Sequence, residues 1–234
     1  MQFRTTNWGM VTEAGNNTSA DWTQALEDLC KIYWRPVYAF IRKRGQAREA
    51  AQDLTQEFFA RLVGSDFLSK ADSSRGRFRC FLMASIDNFL RVEHRNVTTQ
   101  KRGGGWQKIA LDDEEVERML QAELADTSTP EVMFERQWGR TLLQRVQKRL
   151  DQEFTEAGLS ELYQALKPHL TGDPGALPYN DIAVSVGASL TGIKVSVHRA
   201  RKRFQELLRI EVTHIVADPA EVEDEIRHLL HILS

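Results

Sequence analysis

Large apolar residues recur at three- and four-residue spacing through most of this chain, and each run closes on Gly, Pro or a short polar stretch. That period is one face of an α-helix. From Ala20 onward, Leu26, Leu29, Tyr33 and Val37 share a face, and Asp21 is placed to cap it. Pro36 predicts a kink or a restart, because it removes a backbone donor. Gly45 predicts the end of the unit. In AREAAQDLTQEFFARLVG the stripe is Ala47, Ala50, Ala51, Leu54, Phe58, Ala60 or Arg61, and Leu62. In RFRCFLMASIDNFLRVEHRN it is Phe81, Leu82, Ile86, Phe89 or Leu90, and Val92. A short amphipathic helix is predicted within residues 111–126 through Leu111, Val116, Met119, Leu120 and Leu124. Thr129 and Pro130 then read as cap and first residue of a longer helix. Its stripe runs through Phe134, Trp138, Leu142, Val146, Leu150 and Phe154 until Gly158 breaks it. Leu159, Leu162, Tyr163, Leu166 and Leu170 form the next helix. Val222, Ile226, Leu229, Leu230 and Leu233 form the last. Strand-like alternation is scarce, so the predicted class is all-α.

Residues 177–209, LPYNDIAVSVGASLTGIKVSVHRARKRFQELLR, carry the sharpest local pattern. Asn180 or Asp181 can cap a short helix whose apolar contacts are Ile182, Ala183 and Val186. Gly187 falls where that helix must turn, a position that often needs positive φ. Ser189 or Thr191 can cap the next helix. Ile193, Val197, Ala200, Phe204 and Leu207 or Leu208 make its buried stripe. Lys194, Ser196, His198, Arg199, Arg201, Lys202 and Arg203 point elsewhere. This is the pattern of a helix-turn-helix, whose second helix lies in the DNA major groove. The plainer alternative is a helical hairpin with a solvated basic face.

Charge confines that reading to one region. The chain has 234 residues, 41% of them hydrophobic, and a formal net charge of −2. It is no general polycation, so any nucleic-acid surface is local and balanced by acidic segments. Residues 111–126 hold most of one such segment, and the chain turns acidic again after Glu211. The composition shifts predict an N-terminal arm (1–19), a first helical domain (20–102), an acidic linker (103–130), a second helical domain (131–210) and a C-terminal helical extension (211–234). No apolar run is long enough to span a bilayer. No charged-then-apolar leader opens the sequence. The two cysteines, Cys30 and Cys80, both read as buried free thiols, which fits a reducing cytoplasm.

Other clusters carry less chemistry. Asp53, Gln56 and Glu57 form one short polar cluster on a helix. No His or nucleophile accompanies them, so a docking surface for a basic or amide-rich helix is a better reading than acid–base catalysis. The loop SKADSSRGRF places Arg75, Arg77 and Arg79 around Phe78. Aromatics among cations suit single-stranded nucleic acid, with a ring to stack a base and charges for phosphates; the alternative is that Phe78 is core. Asp87, Asn88, Arg91, His94 and Arg95 fall on the polar side of the following helix. Lys101-Arg102-Gly103-Gly104-Gly105 lacks the Gly-Lys-Ser/Thr of a phosphate-binding loop and reads as a turn. His228 and His231 lack the further ligands of a metal site. No catalytic set, metal or cofactor is predicted.

Taken in order, these parts resemble a bacterial RNA polymerase sigma factor of the extracytoplasmic-function (ECF) group, over about residues 20–210. AQDLTQEFF is similar to that family's polymerase-docking helix in region 2, RFRCFLMASIDNFL to its promoter-melting helix, and YNDIAVSVGASLTGIKVSVHRARKRF to its region 4 helix-turn-helix. WRPVYAFIRKRG, KRGGG and VADPAEVEDEIRHLL are similar to a subgroup from planctomycetes and related bacteria. The resemblance implies a promoter-specificity subunit with no catalysis of its own. Its implied partners are core RNA polymerase, through the β′ clamp and β flap, and promoter DNA, both duplex and melted non-template strand. Asp53, Gln56 and Glu57 match the docking positions. Phe78 and Asn88 match positions that hold a flipped −10 base, with Arg75, Arg77, Arg91 and Arg95 as phosphate contacts. Ala84 and Ser85 stand where housekeeping sigma factors carry paired tryptophans. Lys194, Ser196, His198, Arg199, Arg201 and Lys202 fall to the −35 element. The acidic linker corresponds to the segment that threads the RNA exit channel. An anti-sigma factor or a kinase acting at Thr55 is a further candidate partner; the plainer reading of Thr55 is an unmodified helix residue. A stand-alone helix-turn-helix regulator is the alternative function.

Overall fold

The computed structural model describes Val11, Ala14, residues 22–64, Leu68, Ala71 and residues 77–96, 113–216 and 218–234. The regular elements among them are all helical. They are α1 (Trp22–Lys43), α2 (Arg48–Gly64), α3 (Phe78–Asn96), α4 (Asp113–Leu124), α5 (Pro130–Glu156), α6 (Ser160–Thr171), α7 (Tyr179–Ser185), α8 (Leu190–Thr213) and α9 (Val222–Leu233). The described chain forms two compact units. One takes the chain up to Thr141 and again Thr213–Ser234; the other is Leu142–Val212. The C-terminal helix α9 thus belongs to the first unit, together with the N-terminal turns of α5.

Aromatic residues hold the first unit together, Tyr33, Phe58, Phe89 and Phe134 on the predicted stripes and Trp34 and Phe59 beside them. Trp34 of α1 stacks on Phe59 of α2 at 5.7 Å. Phe58 meets Phe89 of α3 edge-on at 5.6 Å. Tyr33 of α1 stacks on Phe134 of α5 at 6.2 Å. Such a pair adds about 0.5–1.5 kcal/mol beyond its area burial. Helix α1 runs unbroken through Pro36, and Gly45 follows it at φ 89°. At the start of α5, Thr129 caps as its position predicts, its Oγ1 accepting from the Val132 N–H at 3.3 Å.

The acidic segment is fastened to α1. Glu117 of α4 is buried and accepts from the Tyr38 hydroxyl at 2.5 Å and from the Arg42 guanidinium. Lys43 donates to the carbonyls of Glu123 (3.0 Å) and Leu124 (3.2 Å). A cation there satisfies orphan carbonyls at the negative end of the α4 dipole.

Helix α9 lies close against α5 because Gly139 has no side chain. A Cβ at that position would stand 2.8 Å from Leu229 Cδ1. Leu229 is fully buried, and Val222 is buried beside the 3-10 turn that opens the helix.

In the second unit, Leu166 of α6, Ile182 and Ala183 of α7, and Ile193, Val197 and Ala200 of α8 form one core. Gly187 adopts φ 65°, as a turn there requires. Ser189 Oγ accepts from the Gly192 N–H at 3.1 Å and caps α8. Neither Asn180 nor Asp181 caps α7. That helix begins at Tyr179 behind Pro178, so both residues lie inside its first turn. Arg203, read from the sequence as part of the basic face, is instead held by Glu153, which accepts from its Nε and Nη2 at 2.7 Å each.

The cysteines differ. Cys30 is buried, and burial together with Glu27 pushes its thiol up to about 12. Cys80 is exposed, not buried. It stands two positions from both Phe78 and Leu82, which face the core, so the helix turns it outward.

Candidate nucleic-acid and polymerase interfaces

Helix α2 presents Asp53 and Glu57 to solvent and leaves Gln56 half-buried. Glu57 accepts from Arg61 at 2.7 Å, and Arg61 lies over the Phe89 ring at 4.9 Å. The carboxylate is therefore oriented, not loose. Thr55 does not share this surface. It is 0% exposed, and its hydroxyl donates to the Ala51 carbonyl at 2.6 Å. A kinase cannot reach that hydroxyl in this conformation.

The loop–helix junction also departs from the expected picture. Phe78 is 4% exposed, edge-on to Tyr33 at 5.5 Å and stacked on Phe81 at 5.9 Å. Its faces are taken by the core, so as it stands it offers no platform for a base. Arg79 is buried as well. Its Nε donates to both Glu135 oxygens at 2.8 and 3.0 Å, its Nη1 donates to Glu225 of α9, and its guanidinium lies 4.4 Å from the Trp138 ring centroid. Coulombic attraction from Glu135 and Glu225 outweighs burial and raises its pKa, so it stays charged. Arg77 is half-buried and stands 2.8 Å from the other Glu225 oxygen. Further along α3, Asn88 and Arg91 are exposed, and Arg91 donates to Asp87 at 2.7 Å. Arg75, the Lys101–Gly105 stretch and the Arg95 side chain lie outside the described residues.

The tail histidines are separated by use. His228 stands 3.2 Å from Glu135, whereas His231 is exposed. No group of three or more His, Cys, Asp or Glu able to hold a metal occurs among the described residues.

Helix α8 presents an exposed, charged face in the second unit. Lys194, His198, Arg199 and Lys202 are exposed and form no ion pair among the described residues. Arg201 donates to the His169 carbonyl at 3.0 Å, which ties it toward α6. Ser196 is half-buried on the flank beside the core. Sequence reasoning missed Thr191 and Val195, both exposed on the side of α8 opposite its buried stripe. Their signal was present: each stands three or four positions from another residue of the exposed face.

A helical unit built on a glycine turn, with exposed basic side chains on its last helix, has the arrangement of a helix-turn-helix. A family model described as ECF sigma factor matches residues 9–166. The chain belongs to the ECF sigma factor family, and with it to the proteins that give RNA polymerase its promoter recognition. No curated protein and no solved structure matches the chain. Family membership favours a sigma factor over a stand-alone regulator. The match covers α1 to α5 and part of α6, and stops before the helix-turn-helix. No helix among the described residues is long and apolar enough to cross a membrane.

Proposed function

We propose that the two units divide promoter recognition between them. The exposed carboxylates of α2, Asp53 and Glu57, with Gln56, dock on the β′ clamp of core polymerase. The polar side of α3, through Asn88, Arg91 and Arg95, together with Arg75 and Arg77, holds the melted non-template strand of the −10 element. Helix α8 enters the major groove of the −35 element, near the β flap. The acidic segment 103–130 is the linker that passes the RNA exit channel. In the full transcription complex the domains follow the boundaries 20–102 and 131–210. Nucleotidyl transfer belongs to the polymerase, and this chain carries no chemistry or cofactor of its own. It works in the cytoplasm, where an anti-sigma factor is the candidate regulator. The segments WRPVYAFIRKRG and VADPAEVEDEIRHLL support placing it in a planctomycete-type subgroup.

The observation that carries this reading is the ECF family match over residues 9–166. The division of labour follows from physics. A duplex reader needs a helix and phosphate anchors, while a strand-opening surface must offset an extrusion cost of about a few kcal/mol per base. Two tethered readers raise each other's effective concentration. The test is reconstitution with core polymerase. The full chain is expected to co-purify with core and to direct transcription from a subset of genomic fragments. Reversing both charges in Asp53→Arg/Glu57→Arg should weaken that complex while DNA binding through α8 persists. Absence of any complex with core would overturn the reading.

A further inference from the structure

We propose that Val195 reads a thymine C5-methyl group in the −35 element, an inference that rests on α8 being the duplex reader. The residue is 42% exposed, although it lies in the helix that carries the core of its unit. Its neighbours two positions away, Ile193 and Val197, are 1% and 3% exposed. At about 100° per residue, a position two from each of these stands directly opposite the buried stripe. Val195 therefore marks the middle of the face that points away from the protein. It makes no contribution to the core.

What surrounds it sets the class of ligand. Thr191 lies one turn before Val195, and His198 and Arg199 lie one turn after it, all exposed. Lys202 continues the same face. An aliphatic side chain ringed by a hydroxyl, an imidazole and cations has no use for a second apolar protein surface, but it matches a DNA groove. There the cations meet phosphate or guanine, and the one apolar feature of a base edge is the thymine methyl. Position along the helix agrees, since the N-terminal part of a recognition helix contacts base edges, and Val195 sits in the second turn of Leu190–Thr213. Val184 on α7 is more exposed, at 84%, yet it fails the same test. Asp181, three positions before it, is exposed, and that negative charge disfavours a phosphate-lined groove.

The experiment uses holoenzyme formed from core polymerase and the full chain, with wild type or Val195→Ala. Each holoenzyme first selects promoters from a library randomised over the upstream element. Every enriched thymine is then replaced by uracil, which lacks only the methyl group. Wild type should lose about fourfold in affinity at one position, the worth of one buried methyl. Val195→Ala should discriminate thymine from uracil there markedly less than wild type, with a melting temperature no lower than wild type's, because the residue is outside the core and alanine favours a helix. Full tolerance of uracil by the wild type, or equal sensitivity in Val195→Ala, overturns the assignment to Val195 while leaving α8 as a reader. If holoenzyme forms and transcribes but no upstream base is enriched, the duplex-reading role of α8 falls, and this inference with it.

Discussion

The carboxylate of Glu225 and the guanidinium of Arg79 lie 146 residues apart in sequence, and both are buried in a direct ion pair. Each sits in a wall the other completes. Arg79 projects from the first turn of α3 onto Trp138 and Glu135. Glu225 closes the arrangement from α9 and also faces Arg77. The C-terminal helix is thereby part of the first unit and not an appendage to the second.

Removing one partner of a buried pair leaves the other charge uncompensated, at a cost of about 3–5 kcal/mol. Glu225→Ala still leaves Arg79 paired with Glu135, so it is expected to destabilise the first unit by less than that, about 1–3 kcal/mol in urea titration. The double variant Arg79→Met/Glu225→Leu should lose less than the two single variants together. An additive double variant would show that the pair is not coupled.

Gly139→Ala should also act through α9. Alanine favours a helix over glycine by about 1 kcal/mol. Here its Cβ would collide with Leu229 Cδ1 at 2.8 Å, and overpacking costs about 1–3 kcal/mol. A net loss of melting temperature is expected. Combining Gly139→Ala with Leu229→Ala should make the glycine replacement stabilising relative to Leu229→Ala alone.

Glu117 governs how α4 responds to acid. Burial works to raise its pKa, but the bonds from Arg42 and Tyr38 prevail and hold it below the usual carboxylate range. A depressed folded pKa stabilises above the unfolded value, and that stability is lost as pH falls through the folded one. Glu117→Gln should thus cost about 1–3 kcal/mol at neutral pH. Thermal melts should converge with wild type as the pH is lowered below the ordinary carboxylate value of about 4.

Glu211 has the opposite sign. Burial raises its pKa, and Arg145 and Arg149, at 3.9 and 3.8 Å, only partly counter it. A raised folded pKa gives stability that is present below the unfolded value and lost as pH rises through the folded one. At neutral pH the buried charge therefore weakens the second unit. Glu211→Gln is expected to stabilise that unit by about 1 kcal/mol at pH near 7, and to lose this advantage below about pH 4. Urea titrations at the two pH values separate the outcomes.

The helices were legible because their apolar period is local. Leu26, Leu29, Tyr33 and Val37 are all buried as that period requires, and Gly187 and Ser189 act where turn chemistry places them. Thr55 is legible too, despite its polar side chain. It stands four after Ala51, three before Phe58 and seven before Leu62, all buried, so the period alone places it inside. Arg79 was not legible. Alternating with Arg75 and Arg77 in a polar loop, it reads as a solvated cation. Its burial depends on Trp138, Glu135 and Glu225, which no local pattern ties to it. Phe78 is a middle case: its stacking on Phe81, three positions on, shows on a helix wheel drawn for α3 alone, but its contact with Tyr33 of α1 does not.

The path of the chain also sets an order of assembly on the ribosome. Domains ordinarily fold from the N-terminus as they emerge. Here the first unit is interrupted by the second and finished by α9. The helix-turn-helix unit is complete once Val212 has left the exit tunnel. Arg79 must wait for Glu225. A nascent chain stalled before residue 222 would carry a finished second unit and a first unit that still lacks its last wall.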